Sequence, residues 1–312
     1  MTNTNPSTPL IAVSHLVKQY GPHPVLKDLN LTIYPGEIYG FIGHNGAGKS
    51  TTMQLIMGLL KANSGTITRA PHLHATNLGY LPESPEFFPY MSAVQYLRYI
   101  GETGGQSKIA IQKRSHELLA MVDLEQKAHH PIGGYSRGMK QRLGLAVALY
   151  HNPELLLLDE PSSALDPMGR QAVVKILAQL KAQGKTIFLS THILDDIERI
   201  CDRIGVLHGG HLALEGPLSH LLESAGGQGI VVTFTEEASE LEIQSFCRAC
   251  AGQIAGSWSL IEPKVVLFTT GLNTAMHFTH LLQVAATAPT IVQGVHKQQA
   301  TLEDLYMKVV NT

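Results

Sequence analysis

Cysteine is scarce in this chain, with three in 312 residues, and tryptophan occurs once. A small, odd number of thiols offers no disulfide framework and points to a reducing compartment. Neither sign of charge dominates: 23 Lys and Arg stand against 25 Asp and Glu, for a net charge of −2. The basic surplus that a polyanion partner would require is missing, so no nucleic acid is expected among the partners. No apolar run approaches the roughly 20 residues that cross a bilayer as a helix. Residues 1–9 are polar, lack the charged-then-apolar pattern of a signal peptide, and read as a disordered lead. These absences place the protein in the cytosol.

What is present describes an ordered α/β protein, 44% hydrophobic and 15% charged, long enough for two domains. Strands are expected at 10–20 and 25–33 around a bend at 21–24, then at 37–42, 66–68, 78–82, 155–158 and 186–190. Helical spacing covers 51–60, 169–183 and 195–201. It also runs from 92 to 152 with breaks at 104–105 and 129–134, which makes about 84–152 a helical insert between two sheet strands. Continuous apolar strands alternating with helices imply a sheet covered on both faces. The Gly-rich stretch 224–229 reads as a linker closing a first domain at 10–223. Beyond it, strand, helix, two strands, helix and strand, then a last helix from 301, suit a small ferredoxin-like α+β domain at 230–312.

Residues 43–51 read Gly-His-Asn-Gly-Ala-Gly-Lys-Ser-Thr, a G-x-x-x-x-G-K-S loop between a strand and a helix. Gly43, Gly46 and Gly48 let the backbone turn tightly and bring its N–H groups, with those of His44, Asn45, Ala47 and Thr51, against phosphate oxygens. Lys49 supplies charge for the β- and γ-phosphates, and the Ser50 hydroxyl is placed to ligate magnesium. Four leucines at 155–158 run into Asp159 and Glu160. A buried parallel strand presents such carboxylates at its C-terminal tip, beside the phosphate loop. Asp159 fits the magnesium-side carboxylate and Glu160 a general base for attacking water. His192, just past the strand 186–190, comes within reach of a γ-phosphate.

With these residues in place, the chain resembles the ATP-binding subunits of ATP-binding cassette (ABC) transporters over roughly residues 10–222. Tyr135-Ser-Arg-Gly-Met-Lys-Gln-Arg142 is similar to the family's signature. The resemblance implies that Ser136 and Gly138 contact the γ-phosphate of ATP bound to an opposite subunit, so that a second ATPase copy completes each site. It further implies that Ser163-Ala-Leu-Asp166 couples the two sites and that Tyr20 stacks on adenine. ATP and Mg2+ are the implied cofactors, and a separate transmembrane permease the implied partner, holding the protein at the cytoplasmic face of the membrane. Glu83 stands where the family usually has a glutamine that senses magnesium and faces the membrane subunit. Its carboxylate can still ligate the metal, while its charge bears on coupling. Arg137 replaces the first glycine of the common signature and adds a cation near the opposing γ-phosphate or an interface carboxylate.

Gly79–Glu83, the signature and the tail Leu302-Glu-Asp-Leu-Tyr306 together resemble the ATPases of ABC-2-type exporters. Gly43–Gly46 and that tail especially resemble the NosF-like ATPases that serve copper-site maturation of nitrous oxide reductase. ATPases for drug, peptide or sodium export share similar motifs. A soluble ABC ATPase acting on ribosomes or DNA is disfavoured by the single cassette, the lack of a long heptad run and the neutral charge. A non-catalytic binding module is disfavoured by intact Lys49, Asp159, Glu160 and His192. Cys247 and Cys250 form a lone C-x-x-C and read as helix residues near a core face. The sixteen histidines, His72, His74, His129 and His130 among them, lack a closing ligand set and read as solvated. Aromatics crowd 87–99, either as core of the helical insert or as a cleft for the membrane subunit.

Overall fold

A computed structural model describes residues 8–225, 229–251, 257–269, 274–288, 290–297 and 300–310. The chain divides into two compact units: Met1–Leu218 with Tyr306–Thr312, and Ser219–Leu305.

The first unit begins with an antiparallel pair, β1 (Ile11–Tyr20) and β2 (His23–Ile33), and β3 (Ile38–Ile42) then leads into the glycine-rich loop. There follow α1 (Lys49–Met57), β4 (Ser64–Arg69), β5 (Leu78–Leu81), α2 (Ala93–Thr103), α3 (Lys108–Met121) and α4 (Arg137–Ala148). The unit continues through β6 (Leu155–Asp159), α5 (Pro167–Ala182), β7 (Thr186–Thr191), α6 (Leu194–Ile200), β8 (Arg203–His208) and β9 (His211–Pro217). A six-stranded sheet has the order β5-β6-β7-β3-β8-β9, parallel except for the β8–β9 hairpin. A three-stranded antiparallel sheet, β2-β1-β4, stands apart from it.

Every residue of β3, β6 and β7 is buried, as expected of strands covered on both faces. One core joins Leu16, Leu26 and Leu31 of the small sheet to Met53 and Ile56 of α1 and to Tyr39, Phe41, Leu157 and Phe188 of the large one. The helix that follows the phosphate loop is thereby held between two sheets. Arg203 ties the edges together, donating to the Thr32 carbonyl (2.9 Å), to Glu37 (3.2 Å) and to Glu215 (2.9 Å). Burial pushes the Glu37 carboxyl above its ordinary range, opposed by its hydrogen bond from the Tyr34 amide and by Arg203.

The helical insert consists of α2, α3 and α4, separated at the two expected breaks. Ser92, Ser107 and Ser136 cap their N-termini, each accepting from the amide three residues on. The aromatics at 87–99 divide. Phe87 and Tyr96 meet edge to face at 5.0 Å, whereas Phe88, Tyr90 and Tyr99 are 45%, 75% and 44% exposed.

The hairpin β8–β9 was not expected from sequence, although Gly209 and Gly210 form its turn in the left-handed region, φ 57° and 87°. The segment expected as a linker is also partly structured. Helix α7 (Leu218–Ala225) includes Ser224 and Ala225, and β10 (Gly229–Phe234) starts at Gly229. Leu218, Leu221 and Leu222 give α7 an apolar stripe that carries the helix past the expected boundary. The rest of that segment, residues 226–228, lies outside the described residues, as do residues 1–7 of the expected lead.

In the second unit β10 is followed by α8 (Glu240–Ala251), β11 (Ser257–Glu262), β12 (Val265–Thr269), α9 (Thr274–Ala286) and β13 (Val292–Lys297). The division between the units falls within the last helix, α10 (Leu302–Val310). The antiparallel order β11-β12-β10-β13 is that of a ferredoxin-like sheet. Cys247 and Cys250 sit in its core with Ile230, Val232, Phe246 and Phe268. Burial raises their thiols to about 11 and about 12. Among the described residues no helix is long and apolar enough to cross a membrane.

Candidate nucleotide site

The loop after β3 turns through Gly46 (φ 82°) and Gly48 (φ 111°) before α1 begins at Lys49. At Gly48 a side chain is excluded twice, by the positive φ and because a Cβ would lie 2.8 Å from Leu26 Cδ2. Lys49 is buried and donates to the carbonyls of Gly43 (2.8 Å) and His44 (3.4 Å), which folds the loop around its ammonium group. The first amides of α1 point out of the helix, and its dipole is positive there.

Strand β6 carries Asp159 and Glu160 to the same place, 2% and 5% exposed. Glu160 Oε1 lies 3.5 Å from Lys49 Nζ, and Glu160 Oε2 lies 2.9 Å from His192 Nδ1. Oε1 is buried without a hydrogen-bond partner. Asp159 Oδ1 accepts from Ser190 Oγ at 2.5 Å. Beside it, the Tyr80 phenol is raised by burial and by the Asp159 charge. A cavity of about 410 Å³ opens over these groups, lined by Val25, Asn45, Gly46, Gly48, Lys49, Ser50, Thr51, Glu83, Asp159 and Glu160.

Most of the residues expected at the site thus converge. Within the loop Gly43 and Ala47 are buried, and exposed His44 turns its Nδ1 to the Asn45 carbonyl at 2.8 Å. Tyr20 does not line the cavity. It ends β1, 46% exposed, with Lys18 Nζ 5.0 Å from its ring centroid. A second hollow, about 640 Å³, gathers Ser136, Arg137 and Gly138 with Ala164, Leu165, Asp166 and Met168. Ser136 caps α4 and Asp166 caps α5, accepting from the Gly169 amide at 2.8 Å. Ser163 Oγ donates to the Glu160 carbonyl at 3.1 Å. The signature residues and the phosphate loop therefore line different cavities of one chain.

Sequence reasoning missed two buried contacts. Ser190 lies on the strand beside β6, and Gln141 Nε2 of α4 donates to the Glu160 carbonyl at 3.3 Å. Neither residue belongs to a local motif with its target, so the folded topology is needed to find them.

The donor set fits a magnesium nucleotide. Oxygen groups of the kind magnesium takes (Ser50, Asp159, Glu83), a buried lysine and a helix N-terminus line one cavity of ligand-binding size, where Glu160 Oε1 faces the Lys49 ammonium without a hydrogen bond. The fold and this site define an ABC transporter ATP-binding cassette, and the chain belongs to that family. The family model for ABC transporters matches residues 26–163. The uncharacterized ABC transporter ATP-binding protein YxlF of Bacillus subtilis (strain 168) is 42% identical over 305 residues, 97% of this chain and 100% of that protein. The Nod factor export ATP-binding protein I of Cupriavidus pinatubonensis is 35% identical over 242 residues, 75% of this chain and 74% of its own. A solved dimeric ATP-binding cassette in a post-hydrolysis state, bound to ADP and Pi, matches with a TM-score of 0.61 and 27% identity, over 67% of this chain and 98% of that one. The protein is an ATPase that uses ATP with Mg2+.

Proposed function

We propose that the chain is the hydrolytic subunit of an ABC-2-type exporter, dimerising head to tail on ATP to drive a separate transmembrane permease from the cytoplasmic face of the membrane. The observation that carries this reading is the separation of Ser136, Arg137 and Gly138 from the cavity holding Lys49, Asp159 and Glu160. Each chain offers two half-sites, and two antiparallel copies would make two whole ones.

In this reading Lys49 and the amides of the loop and of α1 hold the β- and γ-phosphates, with Tyr20 against adenine. Ser50, Asp159 and Glu83 would hold magnesium, which supplies Lewis-acid stabilisation of phosphate oxygens when bound. Glu160 accepts the proton of the attacking water. His192, bonded to its second oxygen, fixes the carboxylate and reaches the γ-phosphate. Ser163 and Asp166 link the half-sites, and the exposed ring cluster of Phe88, Tyr90 and Tyr99 receives the permease.

The export activity named for the Nod factor relative supports the exporter class. Within that class, Gly43–Gly46 and the tail Leu302–Tyr306 favour a NosF-like role in copper-site assembly of nitrous oxide reductase. Deleting the gene and assaying the reductase for copper tests it; a fully loaded enzyme would leave drug, peptide or sodium export.

Glu160→Gln keeps the shape of the site and removes the base. Nucleotide binding should persist, turnover should fall about 10²-fold or more, and ATP should trap a dimer visible by light scattering. Rapid turnover by this variant would end the assignment.

A further inference from the structure

Ser190 is fully buried in β7, opposite Asp159 in the parallel β6–β7 register. Its hydroxyl makes two contacts at once: it lies 2.5 Å from Asp159 Oδ1 and 3.1 Å from the Glu160 amide nitrogen. The amide can only donate, so the hydroxyl accepts there and its single proton must go to the Asp159 carboxylate. The bond to Asp159 is charge-assisted, and its short length agrees with that. It occupies one carboxylate oxygen and leaves the other for a ligand in the cavity.

The same hydroxyl acts on the backbone of Glu160, which is held at φ 50°. A non-glycine residue stays in that region only where its surroundings determine it. Here the Glu160 amide is held by Ser190 Oγ and by the Ser190 carbonyl, both at 3.1 Å, and its own carbonyl accepts from Gln141 and Ser163. An apolar residue at 190 would pack equally well in a buried parallel strand. It would, however, leave a buried Asp159 oxygen without a donor. The polar choice therefore has a function beyond packing.

We infer that Ser190 is a positioning residue for the ATPase reaction: its one hydroxyl orients the Asp159 carboxylate for Mg2+ while fixing the backbone that aims Glu160. This rests on the reading of Asp159 as the magnesium carboxylate. Strand β7 and the residue that follows it then serve both acids, Asp159 through Ser190 and Glu160 through His192.

The test is binding of a fluorescent ATP analogue to the full chain with Mg2+ and with EDTA, alongside the Mg2+ concentration for half-maximal hydrolysis. Ser190→Ala should lose roughly tenfold of the affinity gained from Mg2+, as expected for a hydrogen bond to a charged group. Its affinity in EDTA should match the parent, and the buried Asp159 oxygen left without a donor should lower the melting temperature by a few degrees. The Mg2+ requirement for hydrolysis should rise by a similar factor to the loss of Mg2+-dependent affinity. Ser190→Thr, which keeps the hydroxyl, should restore the Mg2+ response. An unchanged Mg2+ response in Ser190→Ala, or an equal loss with and without Mg2+, would overturn the inference. Asp159→Asn separates the two levels. If it too leaves the Mg2+ response intact, the assignment of Asp159 fails; if it abolishes the response while Ser190→Ala does not, only the role of Ser190 fails.

Discussion

Gln141 Nε2 donates to the carbonyl oxygen of Glu160 at 3.3 Å, joining the helix that begins at the signature to the residue just after the phosphate-site strand. Gln141 is 2% exposed, so water does not replace it on that carbonyl. Under the proposed function, a displacement of α4 would reach the backbone of Glu160 through this amide.

Gln141→Leu keeps the volume and removes the donor. Because Ser163 still serves the same carbonyl, the loss is that of one ordinary hydrogen bond, ~1 kcal/mol or about fivefold in kcat. The KM for ATP should stay within about twofold, since the phosphate loop is untouched. Steady-state kinetics check this; a rise in KM with unchanged kcat would sever the link.

Phe88 stacks on Tyr90 at 5.9 Å between ring centroids, in a cluster left open to solvent. The double change Phe88→Ser and Tyr90→Ser should leave the melting temperature and basal ATPase of the isolated chain nearly unaltered, as surface substitutions do. Copurification with the membrane subunit, and any stimulation of hydrolysis by it, should be lost. Retention of both would place the docking surface elsewhere.

The thiols of Cys247 and Cys250 ordinarily titrate near 9.0, and burial raises them to about 11 and about 12. The folded state holds these protons more tightly than the unfolded one. Their contribution to stability is thus complete below pH 9 and is lost as pH rises through 11 to 12. At pH 8 iodoacetamide should leave both unmodified in the folded protein and modify all three cysteines in denaturant, read by intact mass. Fast modification of either in the folded chain would contradict their place in the core.

Much of this was legible in the sequence, for identifiable reasons. The strand–loop–helix around Lys49 and the strand ending in Asp159-Glu160 are local patterns whose residue types dictate backbone and burial together. The helical insert was readable from its period and from the breaks at 104–105 and 129–134. The hairpin β8–β9 escaped notice despite its Gly209-Gly210 turn, because His211–Pro217 is a half-exposed edge strand with a weak apolar signal. Ser190 and Gln141 were invisible for another reason. A serine in a buried strand and a glutamine in a signature helix reveal their partners only when β6, β7 and α4 are brought together.

The left-handed backbone at Glu160 sets stability against activity. Glycine occupies that conformation without strain, so Glu160→Gly would relax the fold while discarding the carboxylate that Lys49 and His192 attend. Selection for heat resistance alone would weigh that relief against the buried contacts with Lys49 and His192, and under the role proposed for Glu160 any stability gained at this position would be lost from turnover.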